Sequence, residues 1–200
     1  MTLFSHDTMT YLPPANFLSW LGIPFARTQS LTWEEQYEAG VRMFDIRIRF
    51  DRLGKPYFCH GAYKCKLPKG TTVNEVLFRM AEKGDIHIEL ISEERWQDFN
   101  DWQETNFVKW AKAICPALSQ LCHVGGGRHE RTQTQLIDCG QWNVHPAPYD
   151  GSKFEWATSS KIKPIPTIPW VYARFFNKKN MEKAKEKGVT YILLDFVQYQ

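Results

Sequence analysis

The sequence predicts an α/β protein: a small, distorted or incomplete TIM-type (β/α) barrel in a single domain. Three observations predict it. First, a short amphipathic helix that stops at glycine and runs straight into a strand occurs three times. Helix, glycine, strand is the joint of a parallel sheet. Second, several strand-like runs set an ionisable residue between apolar neighbours, which sends charge from different strands to one shared side. Third, 200 residues without a linker, repeat or low-complexity tract make one domain, spanning 1–200. A complete barrel of this type takes roughly 250 residues, so this one is expected to be lean.

The elements follow in order. Thr2, Leu3 and Phe4 form a first strand, followed by Ser5-His6-Asp7-Thr8. Thr32-Trp33-Glu34-Glu35 opens a helix as a capping box, and Gly40 closes it before Val41–Phe50. Within that strand, Phe44, Ile46, Ile48 and Phe50 alternate with Asp45, Arg47 and Arg49. Such alternation describes either a surface strand with a wet outer face or a strand lining a polar site. The similar runs at 86–90 and 192–196, carrying Glu89 and Asp195, favour the polar site. Pro56–His60 is the next strand. Thr72-Val73-Asn74-Glu75 caps a second helix, whose apolar Val73, Val76, Leu77, Met80 and Ala81 keep helical spacing; Gly84 then precedes a strand over 85–91. Phe107, Trp110, Ala111 and Ile114 mark a helix stopped by Pro116. The glycines at 125–127 and the proline-rich 163–169 read as loops. Asn180 caps a last helix, and Gly188 leads into a strand over 189–196.

Composition excludes several classes. A net charge of +3, with no basic tract interleaved with aromatics, gives no sign of nucleic-acid binding. No apolar run reaches the roughly 18 residues of a membrane span. The strand beginning at Thr2 leaves no room for a secretory leader, so the chain as given reads as cytoplasmic, and it is expected to be a monomer. Five scattered cysteines lack zinc-knuckle spacing and read as buried free thiols rather than a disulfide framework.

In barrels of this type the active site lies at the C-terminal ends of the strands. Those ends would bring together His6, Asp7, Asp45, Arg47, His60, Glu89 and Asp195. Two imidazoles, a guanidinium and several carboxylates suit phosphoryl transfer. One imidazole takes a proton from the attacking hydroxyl, the other gives one to the leaving oxygen, and the guanidinium steadies the phosphate between them.

The same residues carry a family resemblance. Ser5-His6-Asp7-Thr8, then Glu35-Gln36, Gly40-Val41-Arg42-Met43-Phe44-Asp45-Ile46-Arg47, then Cys59-His60-Gly61, resembles the X region of bacterial phosphatidylinositol-specific phospholipase C, in the phospholipase-C-like phosphodiesterase superfamily. Residues 191–197 are similar to the family's last strand, which carries a buried aspartate. The resemblance implies that His6 is the general base, oriented by Asp195. It implies that Arg47 binds the phosphate and that His60, helped by Asp7, is the general acid. Asp45 would hold His60 or Arg47 in place. Attack by a neighbouring hydroxyl would then give a cyclic phosphate without a metal. Family members are usually secreted and meet phospholipid at a membrane surface, so the expected partners are a phosphodiester or phospholipid and, transiently, the membrane surface.

Other readings stand beside this one. Glu89 departs from the family pattern. With Asp45 and Asp7 it could hold calcium or magnesium, or it could pair with Arg47 or Arg49. An arginine at position 47 would do a cation's work and repel a divalent ion, which argues for no cofactor. Arg49 and Arg128 are candidate substrate contacts; Arg49 is otherwise an ion-pair member and Arg128 part of a flexible turn. Phe17, Trp20 and Phe25 are either a rim for membrane contact or core residues. The non-catalytic alternative is a barrel that binds phospholipid or protein.

Overall fold

A computed structural model describes residues 1–93, 106–118, 122–125, 154–158 and 168–200. Strand β1 is Thr2–Ser5, and a 3-10 turn, Thr8–Tyr11, follows it. Short helices α1 (Phe17–Leu21) and α2 (Ile23–Ala26) precede α3 (Trp33–Glu38). Then come β2 (Val41–Phe50), β3 (Pro56–His60), β4 (Tyr63–Lys64), α4 (Val73–Ala81) and β5 (His87–Ser92). The remaining elements are α5 (Asn106–Leu118), β6 (Cys122–Gly125), β7 (Phe154–Ala157), α6 (Pro169–Glu186) and β8 (Tyr191–Leu194).

Six strands run parallel in the order β6-β5-β2-β1-β8-β7. Among the described residues β6 and β7 are the outer strands and the sheet is open. The α/β class and the parallel pairing match the sequence expectation. The expected closure into a barrel is not seen among the described residues.

Four local expectations need correction. Strand β3 pairs antiparallel with the end of β2, Ile48 opposite Phe58 and Phe50 opposite Pro56, instead of forming a further parallel strand. The connection at 51–55 is too short for a crossover, which takes a dozen residues or more. Strand β5 extends to Ser92, so the residue leaving its C-terminal end is Glu93 and Glu89 lies mid-strand. Helix α6 starts at Pro169, not at Asn180. Proline at the first helical position costs nothing, because that N–H has no intrahelical acceptor in any case. Helix α5 likewise runs on to Leu118, since Pro116 falls in its last turn and removes few hydrogen bonds there.

Both capping boxes form: Thr32 Oγ1 and Thr72 Oγ1 accept from the backbone of Glu35 and Glu75, whose carboxylates reach back to the cap N–H groups. Gly40 turns α3 into β2 at φ 95°, a conformation a side chain would strain. The alternation in β2 then decides the packing. Phe44, Ile46 and Ile48 are fully buried with Leu77, Met80, Ile88, Leu90 and Phe107 in the main core. Each such side chain contributes roughly 1.5–3 kcal/mol. The opposite face of β2 is not wet: Asp45 is 1% exposed and Arg47 5%. The surface-strand reading of this segment is thereby excluded. Cys59 and Cys65 are buried free thiols, as expected. Phe17, Trp20 and Phe25 are 69%, 57% and 55% exposed, which removes the core-packing alternative for them.

Candidate active site

His6 and Asp7 leave the end of β1, and Asp195 leaves the end of β8, its parallel neighbour. Ser5 opposite Leu194 in the register brings the residues that follow them together. His6 Nδ1 donates to Asp195 Oδ1 at 2.6 Å. That bond puts the proton on Nδ1 and aims Nε2 at the shared space. Asp7 adopts a left-handed turn, φ 44° and ψ 55°, held by Thr10, whose backbone N–H and hydroxyl both donate to Asp7 O. Asparagine and aspartate tolerate this region better than other side chains do.

His60 arrives by another route. Its strand β3 folds back along β2, and its Nδ1 donates to the backbone oxygen of Ala26 at 2.6 Å. A carbonyl can only accept, so Nδ1 carries a proton and Nε2 is the atom that titrates. That Nε2 lies 3.1 Å from Asp7 Oδ2, and His6 Nε2 lies 3.1 Å from the same oxygen. The two rings stand edge to face with centroids 5.7 Å apart.

Arg47 closes the cluster. Its guanidinium contacts Asp7 Oδ1, lies 3.0 Å from Asp45 Oδ2 and 2.6 Å from Glu93 Oε1, and brings Nη2 to 2.9 Å from His6 Nε2. Burial alone would weaken its hold on its proton, but the carboxylates of Asp45, Asp7 and Glu93 more than offset that and push it well above the usual arginine range. Arg47 is therefore a fixed positive charge. Burial pushes the Asp7 carboxyl up to about 7, against the pull of Arg47 and His6. Burial, reinforced by Arg47, pulls His60 down to about 4. Below about pH 7 the proton between Asp7 and His60 thus sits on the carboxyl.

Of the residues the sequence singled out, His6, Asp7, Asp45, Arg47, His60 and Asp195 come together. Of its two proposed partners, Asp45 holds Arg47. Glu89 is buried beside Asp45 in the β2–β5 register. Arg49 donates from Nε to the backbone oxygen of Glu93 at 2.6 Å. Arg128 lies outside the described residues. Sequence reasoning missed Glu93. Extending the alternation of β5 from Glu89 through Ile91 puts Glu93 on the same face and would have found it.

Among the described residues, the ligand-type side chains close enough to share an ion are His6, Asp7 and Asp45, whose donor atoms lie within 4.8 Å of one another. Arg47 already touches all three. A divalent ion there would meet the Arg47 guanidinium at contact distance, which opposes its charge.

No protein-family model matches the chain, and no curated protein sequence matches it. Solved structures do. The phosphatidylinositol-specific phospholipase C from Listeria monocytogenes matches with a TM-score of 0.58 at 18% identity, over 99% of this chain and 89% of that one. A double mutant of the enzyme from Staphylococcus aureus matches at 0.61 and 11%, over 100% and 86%. A structure concerned with modulation of the membrane binding of the S. aureus enzyme matches at 0.59 and 12%, over 98% and 85%. At these identities the likeness is one of fold: the chain is built like the bacterial phosphatidylinositol-specific phospholipases C.

Proposed function

We propose that this chain is a metal-independent phosphodiesterase that cleaves a phosphodiester by attack of a neighbouring hydroxyl, releasing a cyclic phosphate. The observation that supports it most is the shared oxygen: His6 Nε2 and His60 Nε2 both lie 3.1 Å from Asp7 Oδ2, with Arg47 against His6. In this reading His6 Nε2 takes the proton of the attacking hydroxyl, and Asp195 stabilises the imidazolium that forms. The oxygen of that hydroxyl bonds to phosphorus. As the bond from phosphorus to the leaving oxygen breaks, His60 Nε2 delivers a proton to it, drawing on Asp7. Arg47 neutralises the charge that builds on the other phosphate oxygens. Water entering in reverse would open the cyclic product.

The substrate class is an inositol phospholipid, a reading that rests on the family resemblance and the shared fold. A membrane surface fits the ground beside the site. Phe17, Leu18, Trp20, Leu21 and Phe25 stand exposed on α1 and α2, with Phe17 and Trp20 stacked at 6.0 Å. Residues 8–32 and 61–70 contain Arg27, Lys64, Lys66 and Lys69 and no acidic residue. Lys64 N donates to Ser19 Oγ, which seats β4 against α1. Apolar side chains beside positive charge suit the face of an anionic bilayer. Among the described residues no helix is long and apolar enough to cross one.

The test is a panel of phosphodiesters, phosphatidylinositol among them, with and without chelator. Release of inositol cyclic phosphate at an unchanged rate in chelator is expected. Activity lost to chelator and restored by calcium or magnesium would move the chemistry to a metal among His6, Asp7 and Asp45. No turnover of any phosphodiester would leave the binding-module reading.

A further inference from the structure

Among the described residues, two non-glycine residues have positive φ: Asp7 and Phe196, both at 44°. One follows His6 and the other follows Asp195. The two strand exits that carry the imidazole–carboxylate pair are thus the two places where the backbone stores strain, at roughly 1–3 kcal/mol each. Such conformations persist only where neighbours over-determine them.

The neighbour common to both is the segment Thr28-Gln29. The Gln29 side chain is fully buried. Its Nε2 donates to His6 O at 3.1 Å and to Leu194 O at 3.0 Å, and its Oε1 accepts from Val197 N at 3.2 Å. One amide therefore bonds to the exits of both β1 and β8. Thr28 adds to the grip: its hydroxyl donates to His6 O at 2.8 Å, and its backbone oxygen accepts from Phe196 N at 2.6 Å. Thr10 Oγ1 in turn accepts from the backbone N–H groups of Thr28 and Gln29. Gln29 matches this post because an amide donates twice and accepts at the other end, and both exits offer what it needs.

We propose that Gln29 is a positioning residue: it ties the His6 turn to the Asp195 turn and so holds the imidazole in the tautomer that leaves Nε2 free to take a proton. This rests on the phosphodiesterase reading for its catalytic meaning, but the structural part is measurable without activity. A ring that loses its fixed distance to Asp195 also loses the reason to keep its proton on Nδ1.

The experiment uses the full chain, with ¹⁵N-labelled histidine, in wild type, Gln29→Met and Thr28→Val. Methionine keeps the length and removes all three hydrogen bonds; valine keeps the shape of Thr28 and removes its hydroxyl. The His6 ¹⁵N shifts report the tautomer. Wild type should show the Nδ1–H form, Gln29→Met a mixture of the two, and Thr28→Val a smaller change in the same direction. On the substrate found active, kcat of Gln29→Met should fall about 100-fold with KM unchanged, the loss expected of a displaced catalytic group. Folded variants with an unchanged His6 spectrum would overturn the proposal, whatever the activity. If Gln29→Met does not fold, Thr28→Val decides the matter by the same spectrum. If wild type turns over nothing, the phosphodiesterase reading fails while the tautomer result still judges the role of Gln29.

Discussion

Asp7→Asn deletes the acidic partner of His60 at nearly constant volume, and its effect on stability follows from where the proton rests. In the folded protein Asp7 stands at about 7 and His60 at about 4; in the unfolded chain the ordinary values are 3.8 and 6.5. Between about pH 4 and 6.5 the folded pair keeps one proton, on Asp7, and the unfolded pair also keeps one, on His60. Equal proton counts give no slope, so the pair leaves stability flat across that window. Asp7→Asn removes the cancellation. Only His60 then titrates, and the unfolded chain binds a proton that the folded protein refuses. Stability must therefore rise with pH, by about 3 kcal/mol relative to wild type between pH 4 and 6.5, from roughly 2.5 pH units at about 1.36 kcal/mol each. His60→Gln is the mirror case. Asp7 alone then binds a proton in the folded state that the unfolded chain lacks, and stability falls by about 4 kcal/mol as pH rises from 3.8 to about 7. Urea unfolding of the three proteins at several pH values and constant ionic strength reads this directly, because all other groups cancel in the difference from wild type. Two variants whose pH profiles run parallel to wild type would refute the reasoning: the proton would then not belong to this pair.

Three further outcomes are expected. His6→Ala and His60→Ala should each lower turnover of the active substrate by roughly 10²–10⁴-fold, the usual contribution of a general acid or base, with circular dichroism unchanged. Arg47→Lys should lose about 10²–10³-fold in kcat, since an ammonium cannot span Asp7, Asp45 and Glu93 while facing a phosphate; retention of near-normal rates would remove Arg47 from the charge-stabilising role. Replacing Phe17, Trp20 and Phe25 together by serine should abolish co-sedimentation with anionic vesicles and leave the rate on a soluble, monomeric substrate within a few-fold, because these side chains are exposed.

Much of this site was legible in the sequence, for identifiable reasons. Period-two alternation in β2 announced that Asp45 and Arg47 share a face opposite Phe44, Ile46 and Ile48, and the core took the apolar set. The capping boxes at Thr32 and Thr72 are local chemistry, so they could be read locally. What escaped depends on the third dimension. Gln29 has no neighbours in sequence that explain it; its partners are Leu194 and Val197, 165 and 168 residues away, and His6, 23 residues away. Glu93 escapes because the sequence pattern ends the strand at Ile91, one residue before its end in the structure. The start of α6 escapes because the proline-rich 163–169 reads as a loop, whereas proline at the first helical position is a starter.

The β2–β3 hairpin has a consequence for how this chain tolerates change. His60 is located not by the number of residues that precede it but by backbone pairing, Ile48 with Phe58 and Phe50 with Pro56. Extra residues spliced into the tip at 51–55 would lengthen the arm and leave the imidazole at its post. Removing a single residue inside Pro56–His60 would instead turn the side chain to the opposite face, since successive residues on a strand alternate. Variation in length should therefore be harmless at the end of the arm and ruinous a few residues further on.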